Sequence, residues 1–252
     1  MKVVRQEISQ GFSLDIQTPN GHQVIPATIP GSIHTDLMAA GLLGDIRIDG
    51  TESEQEWIRN ADSLYATKVP GHSAGGRYEL KFDGLDTLAT VSINGAVKLQ
   101  SENMHRTFVL DVTDVAVSGF DLSVAFKAPL PEALKREQEM GTYPNPYDMP
   151  YNYFRKMACS FGWDWGPITV TSGIWKPIWL TQWDQGILDE VGLVSDVVDG
   201  VPHLRVRTVG RGSATDVEVV ISGHGREKRV TTTLGSDESI ACEGFDLWHP
   251  RG

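Results

Sequence analysis

Cysteine is scarce in this sequence: Cys159 and Cys242 are the only two among 252 residues, and they lie far apart. That excludes a disulfide framework and a Cys-x-x-Cys metal knuckle, and two separate thiols fit a reducing compartment. Positive charge is short as well, 22 Lys and Arg against 33 Asp and Glu, for a formal net charge of −11. A chain this acidic has no basic surplus to neutralise phosphates, which argues against nucleic acid as a partner. A small uncharged ligand is indifferent to that field. Long apolar runs are missing too. The opening "MKVVRQEISQGFSLDIQTPN" holds none long enough for a signal peptide, and no later stretch could span a bilayer. The expectation is a cytoplasmic protein with no membrane partner.

What is present is strand. Hydrophobic residues make up 40% and charged residues 22%, an ordinary globular mixture with room for one large β domain or two smaller ones. "RYELKF" alternates, with Tyr78, Leu80 and Phe82 on one face. "TLATVSINGAVKL" reads as a hairpin: Leu88 to Ile93, a turn at Asn94-Gly95, then Ala96 to Leu99. Asn-Gly accepts the positive φ angles that a tight primed turn requires. "RTFVLDV", "FDLSVAFKAP" and "ITVTSGIWKPIWLTQW" continue the pattern, punctuated by turn residues as in a β-sandwich.

Two helices interrupt it. "SIHTDLMAAGLLG" can be capped by Ser32 and ended by Gly41 or Gly44, and "PEALKREQEMG" places Pro131 at a first helical position and Gly141 as a stop. "TYPNPYDMPYNYF" is irregular, and its aromatic rings predict an ordered loop. After Trp183 the strands thin out, with frequent Gly and charge and few aromatics. This predicts a second, smaller immunoglobulin-like sandwich beginning near Gly186, with three or four strands where seven are usual.

The segment "FGWDWGP" sets Trp163 and Trp165 around Asp164. In an extended chain Phe161, Trp163 and Trp165 share one face and Asp164 points the other way. Indole rings present apolar plates to a sugar's C–H face, and an ionised Asp accepts two hydroxyl hydrogen bonds. The same spacing also suits a tryptophan-rich core corner in which Asp164 caps backbone amides. Trp175, Trp179 and Trp183 fall at even offsets on a strand, which predicts a stripe packed into the core. His34 and Asp36 sit two apart, the wrong offset for a metal pair on a helix, and read as the polar flank of a capped helix. "GHSAGGRY" lacks the Lys-Ser/Thr of a phosphate loop and reads as a plain loop. Cys159 has no nearby histidine in sequence and reads as an unreactive buried thiol.

Several segments, in order, together resemble the β-mannosidases of glycoside hydrolase family 2. They are "IPGSIHTDLMAAGLLGD", "EWIRNADSLYATKV", "FDGLDTLATVSINGAVKLQSENMHRTFVLDVT", "MPYNYFRKMACSFGWDWGPITVTSGIWKPIWLTQWD" and "DLWHPRG". The FGWDWGP–GIW–P run is distinctive for the mannosidase branch, and they cover most of the chain. The resemblance implies an all-β architecture: a sugar-binding, galactose-binding-like jelly-roll β-sandwich over 1–184, followed by an immunoglobulin-like β-sandwich over 185–252. Family members continue into a (β/α)8 barrel whose two glutamates act by the retaining mechanism, which needs carboxyls about 5–5.5 Å apart. This sequence contains no Asn-Glu dipeptide for the acid/base, and its "LWHPRG", where His249 replaces a family Trp, comes last. The expectation is an N-terminal fragment with a truncated second domain, no catalytic residue of its own, no metal and no cofactor.

In the family the aspartate and tryptophan of this motif help form the subsite for the non-reducing sugar. Carried over by position, Asp164 recognises hydroxyls, Trp163 is the adjacent wall, and Trp165 either joins it or turns inward. The implied partners are a mannoside or manno-oligosaccharide and, in cis, the missing catalytic barrel. Three alternatives stand beside this: a free-standing carbohydrate-binding module, a galactosidase or glucuronidase fragment of the same family, and a structural domain in which Asp164 is paired internally, with Arg155 as its partner.

Overall fold

A computed structural model describes residues 3–48, 52–146, 148–164 and 166–247 of the chain. Trp165 and His249, both singled out above, lie outside the described residues. Two compact units are present: Arg5–Gln182, and Trp183–Gly252 together with Met1–Val4.

The chain opens with β1 (Val3–Glu7), β2 (Ser13–Thr18), β3 (Gly21–Pro26), helix α1 (Ile33–Ala39) and a 3-10 segment over Glu52–Asn60. Strands β4 (Ser63–Val69), β5 (Arg77–Phe82), β6 (Leu88–Ile93), β7 (Ala96–Glu102) and β8 (Phe108–Asp111) follow. The short α2 (Thr113–Ala116), β9 (Phe120–Phe126), α3 (Pro129–Met140) and β10 (Ile178–Trp183) come next. Six strands form one sheet in the order β3-β2-β4-β9-β6-β7, and four form another, β1-β10-β5-β8. Period-two alternation builds the core between them. Leu14, Tyr65, Val91 and Val124 from the six-stranded sheet meet Leu80, Phe82, Ile178 and Leu180 from the other in one buried cluster. The expected face of Tyr78, Leu80 and Phe82 is buried at 3%, 0% and 0% exposure.

Local signals that act over a few residues are found where they were read. Asn94 and Gly95 have φ of 50° and 77°, the primed-turn conformation, and Ile93 pairs with Ala96. Ser32 caps α1 by accepting from the Thr35 amide, while the Thr35 hydroxyl accepts from the Ser32 amide. The helix ends in a Schellman motif: the Leu42 amide donates to Leu37, the Gly41 amide to Met38, and Gly41 has a φ of 70°.

Other expectations need correction. Helix α3 starts at Pro129, two residues before Pro131, because Pro129 itself suits the first helical position. The stretch after it is tied back by its aromatic residues, in line with expectation: the Tyr153 hydroxyl donates to the Gly141 carbonyl at 2.6 Å and accepts from the Tyr143 amide at 3.1 Å. Gly71–Gly76 connects β4 to β5 as the plain loop expected; its Gly71–Gly75 spells Gly-x-Ser-x-Gly but does not turn a strand into a helix as a nucleophile elbow does. Cys159 is half-buried rather than buried.

The second unit contains β11 (Gly186–Val198), β12 (Val201–Gly212), β13 (Asp216–Gly223), β14 (Arg226–Thr233) and β15 (Asp237–Ala241). They make an immunoglobulin-like pair of sheets, β11-β12-β15 and β13-β14. Five strands are described, more than the three or four expected. The 13-residue β11 carries Gly, Asp and Glu that break the period-two alternation by which strands are legible in sequence.

Candidate functional site

The WDWGP segment lies in the irregular stretch between α3 and β10. Its approach is a 3-10 turn over Ala158–Phe161 that buries Phe161 to 1% exposure. Gly162 then takes a φ of 129°, a conformation that favours glycine. Trp163 bridges to Gly166, so the chain folds back on itself and Asp164 falls at the turn. The extended arrangement in which Phe161 and Trp163 share a face is therefore replaced by a tight reversal. Phe161 goes into the interior while Trp163 keeps 42% of its surface exposed. Asp164 is exposed, and among the described residues no hydrogen bond or ion pair occupies its carboxylate. Arg155 does not pair with it; that side chain is exposed and lines a groove described below.

A buried polar network holds this turn from both sides. Ahead of it, Lys156 is fully buried and donates to both oxygens of Asp86 at 2.6 Å and to the Thr171 carbonyl at 2.8 Å. Thr87 donates its hydroxyl to the same carboxylate. Burial pushes the Lys156 ammonium below the usual lysine range against the pull of Asp86. Behind the turn, the 3-10 segment over Glu52–Asn60 grips Ile168. Glu52 accepts from its amide at 2.8 Å, and Gln55 donates to its carbonyl at 3.0 Å. Gln55 also meets His34 Nε2 at 2.6 Å, while His34 Nδ1 lies 2.8 Å from the Thr171 hydroxyl. Burial, opposed by the Gln55 hydrogen bond and assisted by the Lys156 charge, lowers the His34 pKa to about 4. The ring is thus neutral at pH 7 and serves as a hydrogen-bonding strut.

These residues correct the reading of α1 as a helix with a polar flank. His34 and Asp36 are 3% and 1% exposed. Asp36 accepts from the Thr28 amide at 2.9 Å and the Tyr65 hydroxyl at 3.1 Å, and burial raises its pKa. Nothing in the local pattern marked Lys156, Asp86 or Gln55 as its companions. The nearest available signal was a charged pair, Arg155-Lys156, set directly against the apolar "MACSF" run.

The tryptophan stripe also turns out differently. Ile178 and Leu180 of β10 face the core, so Trp179 lies on the opposite face. It is half-buried beneath the Arg5 guanidinium, 4.0 Å from the ring centre, and donates Nε1 to Asp83 at 2.8 Å. Trp175, just before the strand, donates to the Met104 carbonyl at 3.0 Å. Trp175 and Trp179 tie loops to the sheet's outer face instead of filling its core, whereas Trp183 is buried at 4% exposure.

Chemically, the arrangement offers an open carboxylate next to a partly exposed indole, on backbone anchored by the buried Lys156, Gln55 and His34 and by the exposed Glu52. Among the described residues no second carboxylate is paired with Asp164 for acid/base work. Among the described residues no group of three His, Cys, Asp or Glu could hold a metal, and no helix is long and apolar enough to cross a membrane.

Comparison with known proteins agrees with this architecture. Residues 14–176 match the family described as glycosyl hydrolase 2 galactose-binding domain-like. The chain is 32% identical over 175 residues to the β-mannosidase of Bos taurus, covering 65% of this chain and 20% of that protein. It is 31% identical over 270 residues to β-mannosidase B of Emericella nidulans, covering 97% of this chain and 31% of that protein. The crystal structure of β-D-mannosidase from Dictyoglomus thermophilum matches all of this chain with a TM-score of 0.86 and 26% identity, over 32% of its own length. The chain therefore spans between a fifth and a third of the length of these relatives. With the sandwich, the braced turn and a family match across most of the first unit, this chain belongs to the glycosyl hydrolase 2 family by way of its galactose-binding-like domain.

Proposed function

We infer that this chain is the non-catalytic N-terminal part of a retaining exo-β-mannosidase, which removes terminal β-D-mannose, and that Asp164 and Trp163 line its substrate pocket. The domains that serve this role are a sugar-binding jelly roll over 1–184 and an immunoglobulin-like sandwich over 185–252. The carrying observation is an aspartate left exposed and, among the described residues, unpaired, on a turn whose flanks are pinned by Lys156, Gln55, Glu52 and His34. A carboxylate without an internal partner is available to a ligand, and a pinned backbone reduces the ordering cost of binding. The names of the relatives support mannoside as the substrate class. In this reading Trp165 stands next to the same sugar, and the glycosidic bond is broken by a carboxylate pair on a barrel supplied in cis.

One hydroxyl hydrogen bond to a carboxylate contributes about 1.5–3 kcal/mol, enough for selectivity and too little to retain a monosaccharide alone. Two assays follow. The 252-residue chain should not hydrolyse a nitrophenyl β-mannoside, and turnover by the pure chain would refute the non-catalytic role. In a polypeptide extended through a catalytic barrel, Asp164→Ala should lower kcat/KM by about tenfold or more. An unchanged value would remove Asp164 from the pocket. Calorimetric binding of manno-oligosaccharide by the isolated chain would instead favour a free-standing binding module.

A further inference from the structure

A groove of about 470 Å³ opens on the first unit, bounded by the end of β7, the approach to β8, α3 and residues 152–155. Three arginines line it, Arg106, Arg136 and Arg155, against a single carboxylate, Glu102. That carboxylate is already taken. Arg136 holds both of its oxygens, at 2.8 and 3.1 Å, and also donates to the Tyr153 carbonyl at 3.2 Å. Arg106 and Arg155 have no such acceptor. Neither side chain makes a hydrogen bond or ion pair among the described residues, and Arg106 only rests over the Phe108 ring at 5.7 Å.

Two uncompensated guanidiniums facing one concavity are out of keeping with a chain of net charge −11. On so acidic a surface, free Asp and Glu are the more abundant residues, yet none neutralises this pair. The groove offers more than charge. Asn152 lines it with a buried Oδ1 that has no hydrogen-bond partner, an acceptor awaiting a hydroxyl or similar donor. Gln100 and Asn103 add amides, and Phe108 and Phe154 add apolar faces. Forked donors suit a carboxylate or phosphate, orphan acceptors suit hydroxyls, and aromatic edges suit a ring's C–H face.

We propose that this groove binds a small hydroxylated oxyanion, a sugar acid or a sugar phosphate, with Arg106 and Arg155 holding the anionic group. The shared requirement is an oxyanion carried on a hydroxylated ring of sugar size. Both sources meet it.

The test is side-chain and amide NMR of the intact 252-residue chain titrated with D-glucuronate, D-glucose 6-phosphate, inorganic phosphate and D-glucose. The expected result is saturable shifts of the Arg106, Arg155 and Asn152 signals with one or both charged sugars, weakening as NaCl is raised. Saturation by glucuronate alone assigns a sugar acid, and by glucose 6-phosphate alone a sugar phosphate. The double variant R106Q/R155Q, at exposed positions and with an unchanged amide spectrum, should weaken that binding by about tenfold or more. Several results would overturn the proposal: no shift with either charged sugar, equal affinity for D-glucose, binding confined to inorganic phosphate, or undiminished affinity in the double variant.

Discussion

The two units of this chain are held together in different ways. The first closes a single apolar core between two sheets and can therefore bury an ion pair, a neutral histidine and a carboxyl without losing definition. The second has few fully buried apolar side chains, among them Val206 at 2% and Ile240 at 6% exposure. On its longest strand Val191, Leu193 and Val194 remain 50%, 61% and 60% exposed. Its charges meet on the surface instead, as Arg205–Asp237, Arg207–Glu190 and Arg211–Asp189. Exposed pairs contribute little, whereas a buried charge that loses its partner is strongly penalised. Polar residues should therefore matter greatly in the first unit and hardly at all in the second.

The largest expected effect comes from Asp86→Ala, which strands the Lys156 ammonium in the interior. It should cost about 3–5 kcal/mol in chemical denaturation of the first unit. The double change Asp86→Ala with Lys156→Met should recover much of that loss. A cost below 1 kcal/mol for the single change would show that Lys156 reaches water or sheds its proton cheaply.

Next is pH. The folded pKa of His34 lies near 4, below its ordinary 6.5. The unfolded chain thus binds more protons between those values, and stability is complete above pH 6.5 and declines as pH falls toward 4. The full decline attributable to this ring is about 3 kcal/mol, from roughly 1.4 kcal/mol per unit. Replacing His34 by Gln should flatten the stability profile of the first unit in that window. A profile of unchanged slope would contradict the buried neutral ring.

Smaller and more local is Gln55→Leu, which frees the Ile168 carbonyl and leaves His34 without a partner at Nε2. Hydrogen exchange of amides near 160–170 should quicken while those of β4 and β9 hold their protection, at a stability cost of about 1–3 kcal/mol. Smallest is Arg205→Gln in the second unit, which should leave its melting transition in place. A clear drop there would mean that this unit depends on its surface charges more than its exposure suggests.

Much of the scaffold was legible because its rules are short-range. Alternation in "RYELKF", positive φ at Asn94-Gly95 and the Ser32 cap each involve a handful of consecutive residues. The candidate site was legible only as a composition. Asp164 and Trp163 could be named, but whether the carboxylate faced outward or capped backbone could not be read from spacing, since both readings use the same residues. Trp183 is buried, but Trp175 and Trp179 of the tryptophan stripe went wrong for a related reason. Period two groups residues onto a face but does not say which face is the core, and Ile178 and Leu180 took it.

By itself, then, the sequence determined where strands and turns form, because backbone preference and side-chain period are properties of neighbouring residues. Tertiary structure alone decided which charges are buried and which stay open. Lys156 finds Asp86 across 70 positions, and His34 finds Thr171 across 137. The reason is desolvation: an ionisable group can leave water only where the fold delivers its partners, and that delivery belongs to the packed sheets rather than to any local stretch of chain.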